Sequence, residues 1–231
     1  MNISDNILRV RETICNSAVK SGRNPEDVLL IAVSKTYPAE DILKALQAGI
    51  TDIGENKVQE MKEKIPQLPH NTRVHLIGHL QTNKVKAAVE NACMIQSVDS
   101  VHLAKEISRC SVNMGKVTEV LLQVNIAQDE AKFGFAPEMV DEALGEISTM
   151  EGIKVKGFMT VPAIETDKEI TRKYFRKMRS FFESFQGKKY SNVSMDCLSM
   201  GMSGDYDVAV EEGATMVRVG SLIFGARDYS K

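Results

Sequence analysis

A lysine lies at the end of a short apolar run near the start of the sequence. The segment IAVSKTYP (31–38) is apolar as far as Val33, then presents Lys35, and Pro38 prevents it from continuing as a central strand. An amine at the end of a buried strand has its pKa lowered, because burial disfavours the charged form. A neutral amine is the nucleophile that forms an imine with an aldehyde. The alternative is that Lys35 extends its ammonium group into water and does no chemistry.

Two segments near the C-terminus are rich in glycine and hydroxyl residues. They read SMGMSGD (199–205) and RVGSLIFGAR (218–227), and each precedes a helical pattern. Backbone N–H groups and helix dipoles at such positions hold anions such as phosphate. A lysine that forms an imine opposite a phosphate site would bind a phosphorylated aldehyde at both ends. Pyridoxal 5'-phosphate (PLP) and the triose phosphates are molecules of this kind.

Arg218 helps to choose between these ligands. It alternates with Met216 and Gly220 along the last predicted strand, so it shares a face with Gly220 at the end that would hold phosphate. A buried arginine there could pair with a carboxylate, since charged side chains are rarely buried without a partner. It could instead donate to the pyridine nitrogen of PLP. Such a donor would keep that nitrogen unprotonated and make the ring a weaker electron sink.

The rest of the chain predicts the elements that would bring these residues together. A helix from Ser4 to Lys20 is expected first, with Ser4 and Asp5 as cap residues and Gly22 at its end. Short apolar runs then alternate with amphipathic segments of helix length, which is typical of βαβ units in a parallel sheet covered on both faces. The eight predicted strands are VLLIAVSK (28–35), TDIGEN (51–56), RVHLIGHL (73–80), CMIQSVDS (93–100), TEVLLQVNI (118–126), KVKGFMTVP (154–162), SMDCLSMG (194–201) and MVRVGSLIFG (216–225).

Eight such units predict an α/β fold, a closed (β/α)8 TIM barrel. The 231 residues fit a single domain over 1–231, with the first helix as an addition at its N-terminal side. The alternative is an open doubly wound sheet. In a barrel, the loops that follow the strands form the active-site mouth, and phosphate usually sits at the loops after strands seven and eight. A barrel would therefore place Lys35 at the same end as both glycine-rich segments.

Composition indicates an ordinary globular protein of the reducing cytosol. The 29 basic and 31 acidic residues leave a net charge of -2, which disfavours nucleic acid or an anionic membrane as a partner. No apolar run approaches the ~18 residues of a membrane span, and charges within the first dozen residues argue against a signal peptide. Neither a disulfide framework nor a metal site is expected, because no CxxC spacing occurs among Cys15, Cys93, Cys110 and Cys197.

Seven segments together resemble the pyridoxal phosphate homeostasis proteins, which share the barrel of the alanine racemase N-terminal domain. Between Leu30 and Tyr229 these segments are AVSKTYP, DIGENKVQE, VHLIGHLQTNK, SVDS, FGF, LSMGMSGD and MVRVGSLIFGARDY. The resemblance implies that Lys35 carries a Schiff base to PLP and that Arg218 faces the pyridine nitrogen. The cofactor-binding residues that it implies are Lys35, Asn56, His79, Ser199, Met200, Ser203, Arg218, Gly220 and Ser221.

Within that set, the resemblance assigns the phosphate to Ser203, Gly220 and Ser221. It also disfavours racemase activity, which needs two proton-transfer groups on opposite faces of the cofactor. The related racemases supply the second group as a tyrosine from a further domain. This sequence stops at Lys231, so no such domain is expected. Tyr37 and Tyr206 fall near the predicted mouth, but each is expected to be a solvated loop residue.

The expected function is PLP homeostasis: a cytosolic monomer that stores, buffers or delivers PLP without turnover of its own. PLP is the expected partner, together with apo forms of PLP-dependent enzymes that could receive it. The alternatives are a PLP enzyme acting on amino acids, such as a racemase or lyase, and a Schiff-base aldolase acting on a sugar phosphate. His75 is expected to be a hydrogen-bonded barrel residue, and the basic run KEITRKYFRKMRS (168–180) the solvated face of a core-packed helix.

Overall fold

Eight parallel strands close into a barrel. The computed structural model describes residues 2–129, 131–162 and 167–225. Each strand pairs with its neighbours in sequence, and the last strand pairs with the first. The strands are β1 (Leu29–Val33), β2 (Asp52–Glu55), β3 (Arg73–Leu76), β4 (Met94–Val98), β5 (Thr118–Gln123), β6 (Ile153–Met159), β7 (Val193–Met202) and β8 (Met216–Val219). The predicted (β/α)8 barrel is confirmed, and the alternative of an open sheet is wrong.

Helices surround the barrel and follow its strands. They are α1 (Ile3–Lys20), α2 (Ala39–Gln47), α3 (Val58–Lys64), α4 (Val85–Asn91), α5 (Val101–Asn113), α6 (Val140–Ile147), α7 (Lys168–Glu183), α8 (Tyr206–Glu211) and α9 (Ser221–Phe224). The additional N-terminal helix α1 is present and packs against α8 and α9. Its cap is Asn2, whose side chain accepts the Ser4 N–H, rather than the predicted Ser4. Over the described ranges, every helix is too short or too polar to cross a bilayer.

The last predicted strand is shorter than the sequence pattern indicated. Only Met216–Val219 is extended, and Ser221–Phe224 forms a helical turn whose Ile223 and Phe224 N–H groups donate to the Gly220 carbonyl. The sequence pattern does not locate the end of β8 at Val219, because a short apolar run is compatible with either a buried strand or one face of a helix. The helical turn brings backbone N–H groups to the barrel mouth.

Alternation along the strands divides the apolar residues between two cores. In β1, Leu30 and Ala32 pack outward against the helices, whereas Ile31 points into the barrel. The interior apolar cluster is small and comprises Ile31, Met94, Leu121, Met159 and Met216. The interior also holds polar side chains that are 4% exposed or less, namely Asp52, His75, Gln96, Ser199 and Arg218. Barrel interiors are dominated by branched apolar residues, so this polar content is unusual.

Asp52 is the buried carboxylate among these five polar side chains, and it should make stability depend on pH in acid. Burial disfavours its ionised form, but hydrogen bonds from His75, Thr51 and Arg73 outweigh burial and lower its pKa from 3.8 to about 2. A pKa lowered by folding contributes stability that is present above pH ~4 and lost as the pH falls towards ~2. The shift corresponds to about 2 kcal/mol.

We therefore expect the difference in unfolding free energy between the unaltered protein and Asp52→Asn to shrink by about 2 kcal/mol between pH 5 and pH 2. Urea denaturation at a series of pH values measures this difference. A difference that stays constant across the range would contradict the prediction.

Candidate functional site

A cavity of about 540 Å³ opens at the C-terminal ends of the strands. Small-molecule sites usually have volumes of about 300–1,000 Å³. The lining residues are Val33, Lys35, Asn56, Ile77, Val161, Lys168, Thr171, Met202, Ser203, Gly204, Asp205, Arg218, Gly220 and Ser221. The structure therefore brings Lys35, Arg218 and both glycine-rich segments to one cavity.

A second cavity, of about 580 Å³, lies at the opposite end of the barrel. It is formed by α1 and the starts of the strands, and its lining includes Arg11, Cys15 and Asp196. None of the predicted site residues lies on it. Active sites of TIM barrels lie at the C-terminal ends of the strands, so the cavity at the mouth is the candidate site.

Lys35 reaches the mouth cavity from a sharp turn that follows β1. The Tyr37 N–H donates to the Ser34 carbonyl at 3.1 Å, which closes the turn. Between them, Thr36 has a φ of 70°, a left-handed conformation that is a genuine outlier for a β-branched residue. The Thr36 N–H donates to Glu60 Oε2 at 2.8 Å, so α3 holds this strained residue in place. Lys35 itself is half-buried on the cavity lining.

Behind that turn lies a buried ionic cluster of Ser34, Glu55, Glu60 and Lys64, here called the Lys64 cluster. The Lys64 ammonium donates to Glu55 Oε1 at 2.8 Å, to Glu60 Oε2 at 2.9 Å and to the Ser34 carbonyl at 2.9 Å. The Ser34 hydroxyl also donates to Glu55 Oε1, at 2.6 Å. Burial raises the pKa of Glu55, and hydrogen bonds from Lys64 and Ser34 oppose that rise. The cluster joins β1, β2 and α3 beneath the turn that carries Lys35.

The opposite side of the cavity is built by the loops after β7 and β8. The Gly220 N–H donates to Ser203 Oγ at 3.1 Å, which ties the two loops together. Asp205 Oδ1 accepts the Met202 N–H at 2.6 Å and closes the turn between them. Among the described residues, no side chain caps α9. The first N–H groups of α9, beginning at Ser221, are therefore available to an anion.

Arg218, on β8, is buried against β7 and the end of β6. Its Nη1 donates to Ser199 Oγ at 2.6 Å and its Nη2 donates to the Thr160 carbonyl at 2.9 Å. Burial lowers the pKa of Arg218 to about 10, although the Asp205 carboxylate opposes the shift. Within the described part of the chain, Arg218 makes no ion pair with a carboxylate, which disfavours the purely structural interpretation. A guanidinium has five N–H donors, so others remain for a ligand.

Three of the predicted site residues lie off the cavity lining. His79 is at the surface, with Nδ1 3.1 Å from Asp99 Oδ2 and its ring stacked on Phe133. Ser199 faces the barrel interior and reaches the cavity only through Arg218. Met200, the next residue on β7, points the other way and packs between the barrel and the helices. Direct contact of these three residues with a ligand stays a prediction.

The expectation that Tyr37 and Tyr206 are solvated loop residues is wrong. Both are buried, and neither lines the cavity. The Tyr37 hydroxyl donates to the Gly225 carbonyl at 2.6 Å, and its ring stacks on Phe224. Tyr37 therefore connects the turn after β1 to α9 rather than offering a proton to the cavity.

Sequence reasoning missed two charged residues of the lining, Lys168 and Asp205. Lys168 belongs to the basic run that is expected to be solvated, and its side chain is indeed exposed; as the first residue of α7 it also lies at the mouth, with Nζ 2.7 Å from Asp207 Oδ2. Asp205 is partly buried, and burial raises its pKa. Their position in the sequence could have revealed them. The helices that follow the strands of a TIM barrel begin at the mouth, and residues at the start of α7 and α8 are therefore expected there.

Comparisons with known proteins agree with this geometry. The family model described as "Alanine racemase, N-terminal domain" matches residues 6–228. A pyridoxal phosphate homeostasis protein from Aquifex aeolicus is 40% identical over 230 residues, which is 99% of this chain and 100% of the relative. The pyridoxal phosphate homeostasis protein of Escherichia coli K12 is 36% identical, over 100% of this chain and 99% of the relative.

A solved structure extends the similarity to three dimensions. PipY of Synechococcus elongatus PCC7942, solved with PLP bound, is 34% identical, with a TM-score of 0.85 over 96% of this chain and 100% of PipY. Sequence and structure thus align over nearly all of this chain. The chain belongs to the alanine racemase N-terminal domain family and, within it, to the pyridoxal phosphate homeostasis proteins.

Proposed function

We propose that this protein binds PLP at the barrel mouth, held as a Schiff base on Lys35, and takes part in PLP homeostasis by storing, buffering or delivering the cofactor without turnover of its own. The observation that carries the proposal is that Lys35 and a buried Arg218 line one cavity with the loops that join β7 to α8 and β8 to α9. PipY, which is similar over its whole length, has been solved with PLP bound.

The residues present match the cofactor at three points. The Lys35 amine suits the aldehyde, because neutral amines form imines. The N–H groups that begin α9, together with Ser203 and Ser221, suit the phosphate. The remaining N–H donors of Arg218 suit the pyridine nitrogen. When bound, PLP supplies an electron-withdrawing ring, and a donor in the position of Arg218 would limit that capacity by keeping the nitrogen unprotonated.

The other predicted site residues divide by their place in the fold. Asn56 follows β2 on the cavity lining, so we propose that it contacts the cofactor directly. Ser199 would act through its hydrogen bond to Arg218. For His79, at the surface near Asp99, and Met200, on the outer face of β7, direct contact with the cofactor stays a prediction.

The visible spectrum of the purified protein, before and after borohydride, tests this proposal. We expect a yellow protein whose visible band disappears on reduction, with the modification on the peptide that contains Lys35. Modification of another lysine, such as Lys168 on the same lining, would contradict the site assignment. A colourless protein that borohydride couples to a triose phosphate would favour the aldolase.

A second candidate is a PLP enzyme that acts on amino acids. Lys168 and Asp205 favour it, because both lie on the lining and both side chains can carry protons. Incubating the loaded protein with D- and L-amino acids in deuterated water and following exchange of the α-proton tests this candidate. Exchange at rates typical of enzymes would favour catalysis, and exchange no faster than with free PLP would favour a carrier.

We further propose that the protein acts as a single-domain monomer in the cytosol and passes PLP to apo forms of PLP-dependent enzymes. Four cysteines without a disulfide support a reducing compartment; they are Cys15, Cys93, Cys110 and Cys197. Light scattering tests the monomer. Transfer is tested by mixing the loaded protein with an apo enzyme and following the enzyme's recovery of activity.

A further inference from the structure

A continuous chain of buried polar side chains crosses the barrel interior, here called the interior chain. It runs through Asp52, His75, Gln96, Ser199 and Arg218. Of these, Arg218 lies on the lining of the mouth cavity. Burying polar groups is unfavourable unless each is hydrogen-bonded. Polar side chains here occupy positions that branched apolar residues usually fill in a barrel interior. This difference suggests that the interior chain has a function.

The half of the interior chain nearer β2 fixes one tautomer of His75. Asp52 Oδ1 lies 2.8 Å from His75 Nε2, and an ionised carboxylate can only accept. His75 Nε2 therefore carries a proton and donates. In the neutral ring, Nδ1 is then an acceptor. The Gln96 side-chain nitrogen lies 3.1 Å from that Nδ1 and supplies the matching donor.

The same Gln96 amide sets the hydrogen-bond direction in the half of the interior chain nearer the mouth. With its nitrogen on His75, Gln96 presents Oε1 to Ser199, whose hydroxyl donates to it at 2.7 Å. The Ser199 oxygen then offers a lone pair to Arg218 Nη1 at 2.6 Å. Each contact in the interior chain thus has one donor and one acceptor, so the polarity is consistent from Asp52 to Arg218.

The opposite polarity would leave a defect next to Arg218. A proton on His75 Nδ1 would require the Gln96 amide to turn over, which would point its N–H at Ser199. Ser199 already receives an N–H from Arg218, so its oxygen would accept twice and its own proton would lose the Gln96 acceptor. A buried donor without an acceptor is unfavourable, and this favours the polarity described.

Two neutral acceptors hold the plane of the Arg218 guanidinium. Thr160 contributes a backbone carbonyl, which the β6 strand end fixes in place. Ser199 contributes a hydroxyl, which can rotate unless something directs its proton. Gln96 directs it. The orientation of Arg218 therefore depends on residues that do not line the cavity.

We propose that Gln96 and His75 are positioning residues that set, from within the barrel, the direction in which Arg218 presents its remaining N–H groups to the ligand of the mouth cavity. Asp52 anchors the far end by selecting the tautomer of His75. That the ligand is PLP rests on the proposed function, whereas the orientation of Arg218 is a property of the unloaded protein and can be measured without PLP.

Nitrogen-15 NMR of the unloaded protein tests the polarity directly. We expect His75 to be the neutral tautomer with its proton on Nε2 and the Arg218 Nη1 protons to be slowed in exchange with water. Observation of the proton on Nδ1 instead, with Nε2 bare, would overturn the proposal without any substitution.

Three variants separate positioning from general packing. Gln96→Met fills a similar volume without a polar group, and we expect exchange of the Arg218 Nη1 protons to accelerate about tenfold, as loss of one directed hydrogen bond would produce. Met94→Leu changes the apolar packing of the same interior, directly beside His75, without removing a hydrogen-bonding group of the interior chain, and should leave exchange unaltered. Gln96→Glu keeps an acceptor for Ser199 but removes the donor to His75, so it should retain slow exchange at Arg218 and shift the His75 resonances.

The loaded protein supplies a second readout. Gln96→Met should release PLP about tenfold faster and shift the visible absorption maximum, whereas Met94→Leu should match the unaltered protein. A folded Gln96→Met variant with unaltered Arg218 exchange and unaltered PLP release would overturn the proposal. If Gln96→Met does not fold, the proposal is tested instead by the His75 tautomer and by exchange of the Arg218 Nη1 protons in Gln96→Glu. Failure of the unaltered protein to take up PLP, with Arg218 exchange as expected, would contradict the proposed function and leave this inference intact.

Discussion

Replacement of Lys35 by alanine is expected to abolish covalent attachment of PLP and to release the cofactor on the order of 100-fold faster. The physical reason is that the Lys35 amine, in the turn after β1, is proposed to lie next to the aldehyde, and such positioning is worth several orders of magnitude in effective concentration. Without the amine, the cofactor would keep the contacts proposed for Asn56, for Arg218 and for the loops after β7 and β8. The measurement is the visible spectrum with borohydride labelling, followed by the rate of PLP loss on dilution.

Two control variants make the Lys35 experiment specific. Lys35→Arg places a long basic side chain at the same position but cannot form an imine, so it should lose the band and the labelling as Lys35→Ala does. Lys168→Ala removes another lysine from the same lining and should keep both. Borohydride labelling that survives in Lys35→Ala, or disappears in Lys168→Ala, would contradict the assignment.

Replacement of Lys64 by methionine is expected to lower the free energy of unfolding by about 3–5 kcal/mol. Lys64 forms ion pairs with both Glu55 and Glu60 in the Lys64 cluster. The Glu55 side chain is 1% exposed, so removing the ammonium leaves a carboxylate buried without its counter-ion. Urea denaturation at neutral pH measures the loss. PLP release should accelerate as well, because the cluster supports the turn that carries Lys35.

The matched control for this experiment lies on the same helix. Lys62 is exposed on α3, and Lys62→Met should change stability by less than about 0.5 kcal/mol. The double variant Glu55→Gln/Lys64→Met removes both charges and should be less destabilised than Lys64→Met alone, because residues in one network are not additive. Equal stability of the Lys64→Met and Lys62→Met variants would refute a stabilising role for the Lys64 cluster.

These experiments address two different requirements of a PLP carrier. Lys35 is proposed to supply the reversible bond to the cofactor, and the Lys64 cluster to keep that amine at the mouth by holding the strained Thr36 turn. Arg218, held by the interior chain, is proposed to restrain the chemistry of the bound ring. A protein arranged in this way would hold a reactive aldehyde securely while discouraging reactions on it.

The sequence alone was sufficient to predict the barrel and the two parts of the candidate site, Lys35 and the segment that contains Arg218 and Gly220. Alternation of apolar runs with amphipathic segments predicted the eight βα units, because burial on both faces leaves a pattern within each strand. The position of Lys35 just beyond β1 and the shared face of Arg218 and Gly220 followed from local spacing, since side chains alternate along a strand. The resemblance to a known family added the identity of the cofactor.

Tertiary structure decided which side chains meet across the barrel. The Lys64 cluster and the interior chain join residues from different strands, and the register between neighbouring strands determines those contacts. The same register turned Ser199 inward and Met200 outward, and packing against Phe224 buried Tyr37. Sequence patterns record how each segment divides between core and solvent, because that is a local property. They do not record the pairing of polar groups from distant segments, because each such pair exists only once the barrel has closed.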